Sequence, residues 1–356
     1  MLNIFSNMSK QKARAILLFS GGLDSLLAAL MLREQGLQLT GVVFTSNFFD
    51  AEKARESAKR IGMDLEVLDI RKEFLEIVKN PRHGHGKHLN PCLDCHGFMI
   101  RRVKEKLLDN CQDRCFVATG EVLDQRPFSQ NKQALKKVQD LGGCEVLRPL
   151  SARLLDPTEM ENNNWVDRSK LGSLRGRSRA QQKDLARKYG LSEYPSPAGG
   201  CLLTDPGFSS KLKDMMSKWS VYTPEDVELL KKGRVLWANH SDKTWVLIVV
   251  ARDKEESESL LKLARPGDLI AELKDMTGPV VLARGLEIEG DKTEWNFKSY
   301  IPEKWPADIL SLAQREEQIL QSLAMITGYY KTEAREKEVE VGIRRVTDSD
   351  SGPLTV

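Results

Sequence analysis

The spacing of apolar residues changes period early in the chain. Ala15-Ile16-Leu17-Leu18-Phe19 is an unbroken apolar run, short enough for a strand covered on both faces. After Ser20-Gly21-Gly22 the apolar positions fall at Leu23, Leu26, Leu27, Leu30 and Leu32, the spacing of a helix. The alternation continues with a strand over Leu39–Thr45, a helix over Ala51–Ile61, a strand over Leu65–Ile70 and a helix over Glu73–Lys79. Helix Phe98–Leu108, strand Cys115–Gly120, helix Gln133–Leu141 and strand Glu145–Leu150 follow. Strands and helices alternating at these lengths predict βαβ units, hence an α/β fold: a parallel sheet with helices on both faces.

Past residue 150 the pattern changes twice. Residues 151–222 are turn-rich and basic, and Tyr194-Pro195-Ser196-Pro197-Ala198-Gly199-Gly200-Cys201 reads as a rigid frame around a cysteine. A helix is predicted over Phe208–Trp219. From Glu225 a small α+β module is expected, with strands Val235–Trp237, Trp245–Val250 and Val280–Ala283, and a helix over Glu255–Ala264. Ala307–Tyr330 reads as helix and Glu338–Val341 as an edge strand. The expected division is therefore 1–150, a first α/β domain; 151–222, a basic extension carrying Cys201; 223–290, the α+β module; 291–346, a helical extension; and 347–356, a disordered tail.

Composition narrows the class. The 356 residues are 29% charged and 40% hydrophobic, which suits a globular protein of two or three domains. No apolar run reaches the length of a membrane span and no signal peptide is visible in Met1–Arg14, so a cytoplasmic protein with no membrane partner is expected. The net charge is only +3, and any polyanion site must come from local clustering. Between Arg168 and Lys188 there are eight basic residues against one acid, Asp184. Lys170, Arg175, Arg177 and Arg179, with Arg126 from the loop after Gly120, are the RNA-contact candidates. Trp237 and Trp245 are read as core.

The turn Ser20-Gly21-Gly22-Leu23-Asp24-Ser25 joins the first strand to the first helix. Its glycines let a ligand approach the backbone, and the helix start offers unpaired N–H groups to an anion. Neither a Walker A loop nor a dinucleotide fingerprint is present. In a parallel sheet the ligand lies beyond the carboxyl ends of the strands, which adds Thr45 and Gly120. Asp24 is the candidate for organising the loop or a cation.

Six cysteines occur, and free thiols, ligands or catalysts are expected rather than a disulfide framework. Cys92-x-x-Cys95 lies in a polar His-rich loop; Cys201 is the third candidate; Cys111, Cys115 and Cys144 read as small core residues. Three thiols suit a [4Fe–4S] cluster with an open iron able to hold sulfide, four ligands with His96 or His88 suit zinc, and a low-pKa Cys201 with Cys92 as resolving thiol suits a persulfide. Asp94 and Lys87 are candidates for proton transfer or phosphate contact.

SGGLDS resembles the PP-loop of ATP pyrophosphatases. Together with NPCLDCHGFM, VATGEV, QRPFSQ, GRSR and YPSPAGGCLLTDP it resembles the PP-loop tRNA thiouridine synthases, most closely the 4-thiouridine synthase-like branch and more distantly the 2-thiouridine synthases. The likeness covers about residues 12–220. It implies a HUP-like sheet, ATP and Mg²⁺ as cofactors, and tRNA as partner. It further implies adenylation of a uridine carbonyl oxygen and its replacement by sulfur from sulfide or a donor protein. Cys92, Cys95 and Cys201 match the positions that hold a [4Fe–4S] cluster in related members. Catalytic roles then fall to Asp24, Cys92, Cys201 and Asp94, and nucleotide contacts to Ser20, Gly21, Gly22, Leu23, Asp24, Ser25, Thr45 and Gly120. GRVLWAN, LIVVARDKEESESLLKLARPGD and GPVVLARG resemble the NFACT RNA-binding domain. Asp124 stands where the family usually has glycine, and neither a THUMP nor a rhodanese domain is recognisable. A homodimer, a small-molecule PP-loop ligase and a non-enzymatic RNA-binding protein are the alternatives kept open.

Overall fold

The computed structural model describes residues 13–111, 114–194, 200–241, 244–305, 310 and 315–350. The chain divides into two compact units, Met1–Pro206 and Gly207–Val356.

In the first unit β1 (Arg14–Leu18), α1 (Leu23–Glu34), β2 (Gln38–Thr45), α2 (Glu52–Ile61), β3 (Asp64–Asp69) and α3 (Arg71–Lys79) follow the expected alternation. After them come α4 (Cys92–Val103), β4 (Cys115–Thr119), α5 (Lys132–Gly142) and the two-residue β5 (Val146–Leu147), then the short α6 (Glu159–Asn162) and α7 (Ala180–Lys188). The five strands pair in parallel in the order β3-β2-β1-β4-β5. The α/β expectation holds. Strand order reverses at β1, whose Leu18 pairs with Val42 on one side and Thr119 on the other. A crevice for ligand therefore opens at the carboxyl ends of β1 and β4.

Burial follows from the pattern. Ala15 and Leu17 of β1 are wholly buried, as are Leu26, Leu27 and Leu32 of α1, each large side chain contributing about 1.5–3 kcal/mol. Two expectations fail here. α4 begins at Cys92 and not at Phe98, so the CxxC pair sits on the first helical turn. Cys111 and Cys115 are half-buried and joined in a disulfide, and Cys144 is a half-buried free thiol, so none of the three is a core residue. The frame residues 195–199 lie outside the described residues.

The second unit contains α8 (Pro206–Lys218), α9 (Pro224–Leu229), β6 (Arg234–Ser241), β7 (Thr244–Val250), α10 (Lys254–Leu263), β8 (Leu269–Leu273), β9 (Val281–Arg284), β10 (Glu294–Tyr300), α11 (Glu316–Tyr329) and β11 (Glu338–Arg345). Six antiparallel strands run in the order β10-β11-β8-β9-β7-β6. β8 and β10 were not anticipated, and β11 is an interior strand rather than an edge. Residues 223–290 and 291–346 therefore share one sheet, with Ile319, Leu320 and Leu323 of α11 in its core. Trp237 is half-buried, packed edge-on against Trp219 at 5.2 Å with the Lys218 ammonium 5.5 Å from its ring, which departs from the core reading. Residues 347–350 of the expected tail form a turn in which Thr347 N–H donates to Asp350; residues 351–356 lie outside the described residues. No described helix is long and apolar enough to cross a membrane.

A buried ion network holds this unit together. Arg284 is 2% exposed and donates to Asp268 (Nη2 to Oδ2 2.6 Å), to Asp226 (2.8 Å) and to the Leu263 carbonyl (2.7 Å). Arg284→Met should leave the buried Asp268 without its ion-pair partner and Asp226 with only Arg265 at 3.3 Å, and cost roughly 3–5 kcal/mol, recovered in part when Asp226→Asn and Asp268→Asn are added. Denaturant unfolding followed by tryptophan fluorescence measures it, since five of the six tryptophans lie in this unit.

Candidate functional site at the carboxyl ends of β1 and β4

The turn after β1 is shaped by Gly21. Its φ is +72°, and a Cβ there would stand 2.4 Å from the Lys53 carbonyl oxygen, so no other residue fits without displacing α2. Ser57 Oγ donates to the Gly21 carbonyl at 2.9 Å, and Ser25 Oγ to the Gly22 carbonyl at 2.9 Å. Gly22 precedes the first turn of α1 and no side chain caps it, which leaves the helix-start N–H groups for an anion. Ser20 Oγ lies 3.5 Å from Ser25 Oγ. Leu23 is 2% exposed and its side chain belongs to the core, so only its backbone faces the turn. Thr45 closes β2, its carbonyl accepting from Ile70 N–H at 3.0 Å.

β4 reaches the same place through Gly120. A Cβ on Gly120 would lie 2.7 Å from the Ser25 backbone nitrogen. The following loop, 121–131, crosses the turn. Gln125 Nε2 donates to Asp24 Oδ2 at 3.1 Å, and Arg179 Nη2 lies 3.7 Å from the same oxygen. Asp24 Oδ1 is buried and has no hydrogen-bond partner among the described residues. Asp124 adopts φ +59° and its carboxylate receives Arg175 Nε at 2.7 Å. The departure from glycine is thus met by a residue that tolerates the left-handed region, and its charge is matched by a neighbouring guanidinium.

A backbone contact places Cys201 at the neighbouring strand end. Leu202 N–H donates to the Phe48 carbonyl at 2.9 Å in the loop after β2, which ties Cys201 there. Glycines let α4 pack closely on α5: a Cβ at Gly97 would meet Leu141 at 2.5 Å. Asn90 Nδ2 donates to Cys92 Sγ at 3.2 Å. Burial pushes the Cys95 thiol well up, and the nearby Cys201, Cys92 and Asp94 add to this. Burial also pushes Cys201 up to about 11; the Leu203 backbone hydrogen bond opposes the rise, Cys92 adds to it, and Arg126 opposes it. The reading of Cys201 as a low-pKa thiol fails, because a buried thiolate is poorly solvated. Among the described residues no three His, Cys, Asp or Glu side chains are drawn together closely enough to form a metal-holding group.

Neighbouring charges serve the frame. Asp94 is 8% exposed and takes His83 Nδ1 at 2.8 Å and His83 N–H at 2.9 Å, so it pins the His-rich loop onto α4. His85 Nε2 lies 2.9 Å from the Val78 carbonyl. His96 Nδ1 lies 3.0 Å from Glu121, and Glu121 also takes Arg148 Nε and Thr119 Oγ1 at 3.0 Å each. Sequence reasoning missed Gln125 and Glu121; the signal available was their place in the loop directly after Gly120. Of the basic candidates, Arg126, Lys170, Arg175 and Arg177 are exposed and Arg179 half-buried. Arg175, Arg177 and Arg179 precede α7 rather than lie on it. An open pocket of about 380 Å³ is lined by Ser178, Arg179, Ala180, Lys183, Asp184 and Arg187.

Residues 13–156 match a family described as "Family of unknown function (DUF7411)". The chain is 38% identical over 118 residues to "tRNA-specific 2-thiouridylase MnmA 3" of Bacteroides fragilis, covering 32% of each chain. It is 24% identical over 296 residues to "tRNA-specific 2-thiouridylase MnmA 2" of Fusobacterium nucleatum, covering 79% of this chain and 78% of that one. The stronger identity thus spans about a third of the relative's length. A solved structure described as "Crystal structure of a 4-thiouridine synthetase - RNA complex with bound ATP" overlaps 61% of this chain and 53% of that chain, at 20% identity and a TM-score of 0.33.

The Glu121 network makes an acid prediction. Burial alone would raise this carboxyl, but Arg148 and His96 outweigh it and hold it at about 2 against an ordinary 4.5. Its stabilisation is complete above the ordinary value and is lost as pH falls from about 4.5 towards 2. Melting temperature measured between pH 6 and pH 3 should fall less steeply in Glu121→Gln than in the wild type; an identical slope would show that other carboxylates govern the acid limb.

Proposed function

We propose that the chain is an ATP-dependent tRNA sulfurtransferase that exchanges a uridine carbonyl oxygen for sulfur. The observation that carries the reading is the loop after β4: Gln125 holds Asp24 of the nucleotide turn at 3.1 Å, while Glu121 at its start takes His96 of α4, the helix that opens with Cys92 and Cys95, at 3.0 Å. One loop thus spans the adenylation side and the sulfur side. The names borne by the curated relatives support tRNA thiolation and favour the C2 carbonyl over the C4 carbonyl that the sequence motifs suggest.

The chemistry follows from these parts. Oxide is a poor leaving group from a uridine ring, whereas AMP is a good one. The N–H groups at the start of α1 would bind the phosphates of ATP. The unpartnered Asp24 Oδ1 fits a Mg²⁺ ion beside them, with Gln125 keeping the carboxylate turned inward. Arg126 offsets the charge that Cys201 gains when it loses its proton. The exposed arginines of 175–177 and the basic pocket at α7 would hold phosphates of the RNA. The second unit would add the NFACT-type contact, and a tRNA substrate would put the reaction in the cytoplasm.

Cys92, Cys95 and Cys201 fit a [4Fe–4S] cluster in donor type. They are soft thiols, the raised pKa values of Cys95 and Cys201 call for a metal to remove their protons, and the nearby Asp94 is turned onto His83. Such a cluster, when bound, would supply activated sulfide from sulfide or a donor protein. The second reading is a persulfide relay: Cys201 takes the outer sulfur of a donor protein's persulfide, that sulfur displaces AMP from the uridine, and Cys92 frees the thiouridine by closing a disulfide with Cys201.

Anaerobic purification with iron and sulfide counts, followed by nucleoside analysis of tRNA, separates the readings. With a cluster, Cys92→Ala, Cys95→Ala and Cys201→Ala each abolish thiolation and lose iron while the fold is kept. With a relay, iron is absent and Cys95→Ala stays active. No thiolated nucleoside from the wild-type protein would leave the small-molecule ligase and the non-enzymatic RNA-binding protein. Asp24→Ala should lower ATP-dependent turnover at least tenfold with little change in melting temperature; unchanged kinetics would reduce Asp24 to a residue that favours the helix start.

A further inference from the structure

The loop that carries Gln125 and Arg126 also displays an aromatic ring to solvent. Phe128 is 89% exposed, whereas Phe19, Phe48, Phe74 and Phe116 of the same unit are all 4% exposed or less. Its exposure is built into the loop. Asp124 N–H donates to the Gln130 carbonyl at 2.8 Å, and Gln130 N–H to the Arg126 carbonyl at 2.8 Å. Asn131 Nδ2 donates to the Pro127 carbonyl at 2.7 Å while its Oδ1 caps α5 through Ala134 N–H at 2.9 Å. Pro127 fixes the backbone just before the ring, and Ser129 and Gln130 just after it are buried. The loop is thus tied at both ends with its ring held outward.

We propose that Phe128 is the platform on which the target uridine stacks when it leaves the RNA. The proposal rests on the thiolation reading above and names the group that seats its substrate. A uridine ring within a base-paired or stacked strand cannot bring a carbonyl to the sulfurs, so the base has to turn out. A turned-out base needs a flat apolar surface to replace its lost neighbours, and an aromatic side chain supplies one for any base. Phe128 lies three residues from Gln125, which holds Asp24, in the loop whose first residue, Glu121, takes His96 on the helix that begins at Cys92. A base resting on this ring is seated on the loop that touches both the nucleotide turn and the cysteine-bearing helix, with the exposed guanidinium of Arg126 available for its phosphate.

The test uses the full chain, mixed tRNA, and an oligouridine RNA carrying one 5-iodouridine, which photo-crosslinks to a stacked ring. The crosslink should map to Phe128. Phe128→Ala should weaken tRNA binding about tenfold or more, the range spanned by removal of one base–aromatic stack. Phe128→Trp should keep wild-type binding, Phe128→Leu should not, and ATP affinity without RNA should stay within about twofold in all three. A crosslink elsewhere, wild-type binding and thiolation in Phe128→Ala, or equal binding by the Leu and Trp variants would overturn the proposal while leaving the thiolation reading intact. If the wild-type protein bound no tRNA, both would fall.

Discussion

The contact on which the site depends is the one between Gly120 and the backbone of Ser25. Two parallel strands that flank a reversal in strand order end side by side, and the crevice between them is only as useful as the approach of their loops. With 2.7 Å to the Ser25 nitrogen there is no room for a side chain at Gly120. Loop 121–131 can therefore run directly over the nucleotide turn. The Gln125–Asp24 and Glu121–His96 contacts and the outward Phe128 all lie on that loop.

Much of the first unit was legible because its signals are local. Apolar runs bounded by glycines gave the strands, and the 3.6-residue spacing after Gly22 gave α1. The helix start at Cys92 was hidden by the loop before it: Asn90-Pro91 and the three histidines His83, His85 and His88 read as irregular chain. The helix forms because its inner face packs closely on α5, a contact distant in sequence. In the second unit, β8 and β10 are short or polar on one face, and their pairing, β10 with β11 and β8 with β11 and β9, defines them as strands. Intrinsic propensity is weak beside such pairing.

The site shows the same division between local and distant information. The glycines, the serines and Asp24 of the nucleotide turn are contiguous and were read directly. The roles of Glu121, Gln125 and Asp94 depend on partners 25 to 101 residues away or in another loop. The thiols show how burial overrides residue type. A cysteine near an arginine suggests an easily ionised sulfur, yet desolvation outweighs Arg126 and keeps Cys201 protonated at neutral pH.

The pairing of Asp124 with Arg175 ties two otherwise independent positions. The backbone at 124 accepts only glycine, asparagine or aspartate comfortably, and aspartate alone neutralises the guanidinium opposite. A homologous chain with glycine there would keep the turn and release one more cation towards a polyanion. The two sites are therefore epistatic: selection on RNA affinity can be met by a substitution at position 124, 51 residues from the arginine it unmasks.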